Sequence, residues 1–170
     1  MDDARQRLGG LPPEELLPRL FGHQLDYVGQ LLDDAAAVAD PWTGLRTFLE
    51  SVLALQAEYR GLLEYMCGPH GQERAGAATA RLTPLVAELL ARAKASGQVR
   101  MDVTVEDVAL VPVMVGAVLE RARGTGPDDL WRRVLAVVLD GLRPSSAPLP
   151  GRPLHRDELH QLLGQPPADG

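Results

Sequence analysis

The sequence predicts an all-α domain: a helical bundle of about five long helices, with short ones beside them. Apolar residues recur at helical spacing along most of the chain, and few stretches alternate in the manner of β-strands. Proline, glycine and short polar residues lie where helices would begin or end. A chain of 170 residues is about the size of one domain and can bury a substantial core.

The first two helices are predicted from proline and capping signals. Pro12 and Pro13 suit the first turn of a helix that runs to about residue 40. Pro18 is expected to split off a short opening turn, because proline cannot donate a helical hydrogen bond. Asp40 followed by Pro41 is typical of an N-cap with proline at the first helical position, and it predicts the start of the second helix.

A glycine marks the end of the third predicted helix, and a threonine marks the start of the fourth. The third is predicted over 72–96, with Gly97 ending it and Pro84 kinking or restarting it. Thr104 can cap the fourth helix, and Asp107 at the third helical position completes a short capping box. This fourth helix is predicted to run to about residue 123.

The fifth helix opens at Asp128 and Asp129 and ends at Gly141. Proline-rich sequence follows it, and a short amphipathic stretch comes after that. We therefore divide the chain into a disordered remnant at 1–10, a ligand-binding and dimerisation domain at 11–143, a linker at 144–153, and a short terminal helix with a frayed tail at 154–170.

The fourth and fifth helices carry more apolar surface than one core requires. A helix on a single core needs one apolar stripe, whereas 105–122 and 128–142 are apolar on two sides. We expect the second side to pack on another copy, so that four helices form a bundle with two-fold symmetry. Central burial within a monomer is the alternative. The predicted dimer interface consists of Val118, Leu119, Trp131, Val134, Leu135, Val138 and Leu142.

Composition excludes several other classes of protein. The net charge of −6 argues against a general nucleic-acid binder, and the single cysteine excludes an intrachain disulfide. The longest uncharged run, 108–119, would span only about 18 Å as a helix, too short for a bilayer. The N-terminus lacks the apolar core of a signal peptide. These features predict a cytoplasmic protein without a membrane partner, a metal or a cofactor.

A ligand pocket is predicted beside the second helix. Gln56 lies on the same apolar stripe as Tyr59, and a polar group directed into a core needs a partner that a bound ligand can supply. Tyr65, Met66 and Met114 are the other predicted lining residues, since ligand pockets are mostly apolar with a few polar groups. Alternatively, Gln56 lies at the edge of the stripe and reaches solvent.

Two further groups of residues have simpler explanations. Cys67 and His70 place a thiol near an imidazole, but a reactive thiol needs a lowered pKa and a metal site needs more ligands. We expect an ordinary loop thiol there and no catalytic residue; a small helical enzyme is the alternative. Arg132 and Arg133, with nearby arginines, could bind an acidic effector or form a solvated rim.

Two stretches resemble the C-terminal half of TetR-type transcriptional regulators: "LTPLVAELLARAKASGQVRMDVTVEDVALV" and "LWRRVLAVVLDGLRP". Upstream, "LPPEELLPRLFGHQLDYV" resembles the linker helix of that family, and "DPWTGLRTFLESVLALQ" the helix after it. The resemblance covers roughly 11–163. It implies an all-helical domain that binds a small effector in an interior pocket and dimerises through its last two long helices.

One feature of that family is not matched. Its members carry a DNA-binding helix-turn-helix module before the linker helix, and "MDDARQRLGG" is too short to form one. Either the start codon lies further upstream or the module has been lost. We therefore expect DNA to be a partner only if an upstream helix-turn-helix is missing from this gene model. A module that sequesters intact regulators by heterodimerisation is the alternative function.

Overall fold

A computed structural model describes residues 13–58, 72–122 and 124–163. Within these residues every regular element is a helix, which confirms the predicted all-α class. The helices are α1 (Pro13–Ala37), α2 (Pro41–Glu58), α3 (Gln72–Ala95), α4 (Val105–Arg121), α5 (Leu130–Gly141) and α6 (Arg156–Leu162). The N-terminal remnant and the frayed tail predicted from sequence lie outside the described residues.

Helix α2 lies at the centre of the bundle, where it packs against α1, α3, α4 and α5. Its inward stripe consists of Leu45, Leu49 and Leu53, which recur every four residues and are almost fully buried. Val111 and Val115 of α4 belong to the same core. A movement of α2 would therefore change the packing of four neighbouring helices.

Two helices continue through their prolines, so the break expected at Pro18 and a restart of the helix at Pro84 are wrong. The alternative kink at Pro84 stays a prediction. Pro18 lies early in α1, where one missing N–H costs little of the helix. Pro84 lies inside α3, and the turns that follow it bury Leu89, Leu90 and Ala93 in the core. That burial holds the helix together across the missing hydrogen bond.

The predicted helix boundaries at Gly97 and Thr104 are confirmed. Gly97 has φ +70°, its N–H donates to the carbonyl of Lys94 (2.9 Å), and the next N–H, of Gln98, donates to Ala93 (3.1 Å). This is the Schellman arrangement, in which a left-handed glycine satisfies the last carbonyls of a helix. Thr104 and Asp107 form the reciprocal capping box at the start of α4.

A polar junction connects the α1–α2 turn to the end of α3. Asp40 accepts from the backbone N–H of Thr43 (2.9 Å) and from the amide of Gln98 (2.7 Å), which confirms its predicted capping role. Hydrogen bonds from the side chains of Thr43 and Gln98 lower the pKa of the Asp40 carboxyl. Arg92 of α3 donates to the carbonyl of Ala36 at the end of α1 (2.6 Å). The three helices are thus fastened at one corner.

The proline-rich segment after α5 is tied to the turn between α3 and α4. Arg100 pairs with Asp102 (2.6 Å) and donates to the carbonyl of Ala147 (2.6 Å). Asp102 in turn accepts from the backbone N–H of Leu149 (2.8 Å). The Arg100 guanidinium and this N–H hold the pKa of Asp102 well below its usual range.

We expect the C-terminal segment to loosen in acid through Glu158. Its carboxylate accepts from Arg152 (2.5 Å) and from the backbone N–H of His155 (2.8 Å), which lower its pKa from 4.5 to about 2. Because the folded pKa is the lower one, the stabilisation is complete above pH 4.5 and is lost as the pH falls towards 2. The protection factors of the α6 amides, which compare each exchange rate with the intrinsic rate at the same pH, should fall across that range.

A Glu158→Gln variant is the control for this titration. The protection factors of its α6 amides should be lower than in wild type at neutral pH and should change little between pH 4.5 and 2. Equal acid sensitivity in both proteins would show that another group controls the segment.

Candidate functional site

A cleft opens where the C-terminal part of α2 meets the end of α4 and the start of α5. We call it the Gln56 cleft. Its volume is about 330 Å³, within the range of small-molecule sites. Gln56 and Ala57 line it from α2, Val118 and Leu119 from α4, and Trp131 from α5. The cleft forms only because three helices pack together at this point. Each wall by itself is part of an amphipathic helix.

The rim of the Gln56 cleft is mainly acidic. Glu58, Glu120 and Asp128 carry carboxylates on its lining, and Arg132 carries the one positive charge among the lining residues described. The guanidinium carbon of Arg132 lies 4.5 Å from the centroid of the Trp131 ring, a cation–π contact. The cleft therefore combines apolar walls and an aromatic ring with a negative rim.

Gln56 carries a polar atom without a partner among the described residues. Its Oε1 is buried and accepts no hydrogen bond from them, while the residue as a whole is half-buried and lines the cleft. A buried amide oxygen left unpaired costs about 1–3 kcal/mol, so its presence in a folded domain requires an explanation. That Gln56 contacts a ligand stays a prediction.

The other predicted pocket residues are distributed differently. Tyr59, Tyr65 and Met66 lie outside the described residues, as do Cys67 and His70. Met114 is 48% exposed on α4 and is not among the residues that line the Gln56 cleft. The structure therefore brings one of the five predicted ligand-binding residues to this cleft, and sequence reasoning missed Trp131 as part of its lining.

The seven predicted interface residues fall into two groups. Three of them, Trp131, Leu135 and Leu142, are buried in the core of the chain itself. Val118, Leu119, Val134 and Val138 are half-buried.

Beside the half-buried valines of α5, Val137 is 69% exposed, and Met114 presents further apolar surface on α4. Sequence reasoning missed Val137, although a helical wheel places it on the flank opposite the buried Leu135. An apolar surface thus remains on both of the last long helices.

Two kinds of site find no support in the part of the chain that is described. No group of three or more histidine, cysteine, aspartate or glutamate residues there is placed to bind a metal ion. None of the described helices has the length and hydropathy needed to cross a bilayer.

The fold and the cleft define a class: an all-helical domain with a ligand-sized cleft and an uncovered apolar surface on its last two long helices. Residues 40–144 match the family described as "Transcriptional regulator SbtR-like, C-terminal domain". The chain belongs to this family, and the resemblance to the C-terminal domain of TetR-type regulators is confirmed. The family is one of regulators and not of enzymes. No curated protein matches the chain.

Proposed function

We propose that this domain senses a small effector in the Gln56 cleft and dimerises through α4 and α5. The observation that carries the sensing proposal is the unpaired Oε1 of Gln56 beside a cleft of about 330 Å³. A ligand that offers an N–H or O–H donor would remove the cost of that unpaired oxygen. Such a ligand gains affinity that an entirely apolar molecule lacks.

Dimerisation is supported by the apolar side chains left on the surface of α4 and α5. Val137 and Met114 are exposed, and Val134 and Val138 are only half-buried by their own chain. A second copy would cover them in a self-complementary interface, as two-fold symmetry requires. Membership of the regulator family is consistent with this arrangement.

Helix α2 offers a route from the cleft to α1. Its C-terminal residues line the cleft, while Gly44, near its other end, lies directly against the backbone of Ala35 in α1. A ligand that displaced α2 would therefore shift α1, which resembles the helix that follows the DNA-binding module in this family. The regulatory step is then a two-state equilibrium that the effector biases through its different affinities for the two states.

The sensing proposal is tested by filling the cleft. A library of drug-sized compounds is screened for a rise in melting temperature, since an effector at one hundred times its Kd adds about 2.7 kcal/mol. Ala57 lines the cleft, so Ala57→Trp should abolish the rise. Ala95 is exposed at the end of α3, and Ala95→Trp should leave it unchanged. Compounds that stabilise both variants equally would place the effector site elsewhere.

A further inference from the structure

A second cleft lies between α2 and α5, and both tryptophans of the chain line it. We call it the tryptophan cleft. Its volume is about 330 Å³, and Leu135 and Leu139 lie on its apolar lining. Trp42 of α2 and Trp131 of α5 contribute the two indole rings. Aromatic and leucine side chains together offer a surface on which a planar ring can pack.

Each tryptophan carries an arginine on its ring face. The guanidinium carbon of Arg132 lies 4.5 Å from the Trp131 centroid, and that of Arg143 lies 4.6 Å from the Trp42 centroid. Stacking uses the planar face of a guanidinium and leaves the N–H groups at its edge available. These groups can donate hydrogen bonds to a carboxylate or phosphate. Arg143 donates one N–H to the carbonyl of Gln98 (3.3 Å).

Arg132 donates fewer hydrogen bonds to the described residues than Arg143 does. Among the described residues, its guanidinium makes the ring contact with Trp131 and donates no hydrogen bond to the protein. Its donors are thus positioned by stacking at the edge of the cleft without being used by the fold. Arg132 lines both clefts, so it lies on the wall between them.

The charge of the tryptophan cleft is opposite in sign to that of the chain. Arg46 is paired with Glu50 on the same helix (3.8 Å), which leaves Arg132 and Arg143 against Asp140. The lining is therefore net positive, in a chain whose net charge is −6 and beside a Gln56 cleft with an acidic rim. A negative ligand is favoured here over a positive one.

We propose that the tryptophan cleft binds a small aromatic anion. The ring packs at the mouth of the cleft against the half-buried indole of Trp42, and the carboxylate or phosphate accepts from the stacked guanidinium of Arg132. This site is separate from the effector site proposed above and takes a ligand of opposite charge preference. The rim arginines are exposed, so the affinity is modest, with a Kd of about 1 mM or tighter.

The two tryptophans make intrinsic fluorescence a reporter of this cleft, because the chain contains no others. Trp131 also lines the Gln56 cleft, so variants that affect one cleft only must assign the signal. The probe is 4-nitrobenzoate, whose nitro group quenches indole on contact. 4-Nitrobenzyl alcohol serves as the neutral analogue of similar shape. We expect saturable quenching by the acid and only a linear, collisional response to the alcohol. Linear responses to both compounds would overturn the proposal.

Three variants test the role of charge. Arg132→Met and Arg143→Met keep a similar apolar stem and remove a cation, so each should weaken the probe by about tenfold or more. Arg143 lines the tryptophan cleft and not the Gln56 cleft, so its variant distinguishes the two sites. Arg133 is exposed on α5 and lines neither cleft, so Arg133→Met should leave the Kd unchanged. If Arg132→Met fails to fold, Arg143→Met carries the test.

An unchanged Kd in folded Arg143→Met would contradict the assignment, and if Arg132→Met still weakened the probe it would place the probe in the Gln56 cleft, because Arg132 lines both clefts. Loss of binding in Arg133→Met as well would also contradict the assignment, since a general surface effect would then explain the quenching. Inorganic phosphate should displace the probe if the arginines recognise the anionic group. The Gln56 cleft is tested separately by melting with Ala57→Trp.

Discussion

Replacing Gly44 by alanine should destabilise the domain by about 1–3 kcal/mol or more. A Cβ built on Gly44 would overlap the backbone carbonyl oxygen of Ala35, and it would also touch a methyl of Leu89 at 3.4 Å. A backbone oxygen cannot move aside without separating α1 from α2. The gain in helix propensity, at most about 1 kcal/mol, has the opposite sign and is smaller.

Gly29 in α1 is the matched control for this substitution. The atom nearest to its would-be Cβ is the end of the Arg81 side chain at 3.0 Å, and that side chain is flexible. The exposed pair of Arg81 with Asp26 (3.5 Å) contributes little to stability. Gly29→Ala should therefore melt at or slightly above the wild-type temperature. Two equally destabilised variants would show that the α1–α2 approach is looser than described.

Two substitutions that lie two residues apart in α5 should have opposite consequences. Val137 is 69% exposed, so Val137→Glu should preserve the fold of each chain, whereas Leu135 is 1% exposed and Leu135→Glu should unfold it. If a second copy covers Val137, the buried charge should weaken dimerisation by about 3 kcal/mol or more, over a hundredfold in the dissociation constant. Circular dichroism reports the fold, and sedimentation velocity reports the association.

The two variants distinguish a residue at an interface between copies from a residue in the core of one chain. Helical Val137→Glu that sediments as a monomer supports the α4–α5 surface as the contact between copies. Helical Val137→Glu that dimerises as strongly as wild type would place that contact on another face. Folded Leu135→Glu would contradict the burial of α5 against α2.

The ends of the helices were predictable because their causes are local. Asp40 bonds to the turn that follows it, Gly97 supplies a left-handed residue, and Thr104 pairs with Asp107 three residues away. Each signal involves a few neighbouring residues and survives any tertiary arrangement. A restart of the helix at Pro84 was wrongly predicted for the complementary reason, since core burial outside the local window holds α3 together.

The sites were less predictable because they depend on which flank of a helix turns inward. Apolar periodicity identified α5 as unusually apolar, but it could not assign Leu135 to the core and Val137 to the surface. The cation–π contact of Arg143 with Trp42 joins distant parts of the chain, and no local sequence pattern predicts it. Gln56 was the exception, because one polar residue on an apolar stripe is visible in the sequence itself.

The mass of the unmodified protein in solution tests the central claim, that this regulator domain pairs through α4 and α5, most directly. One chain has a mass of 18.3 kDa. Light scattering across a dilution series at micromolar concentrations should give twice that mass, and the Val137→Glu variant should give the single-chain value. A wild-type chain that remains at 18.3 kDa throughout the series would contradict the account.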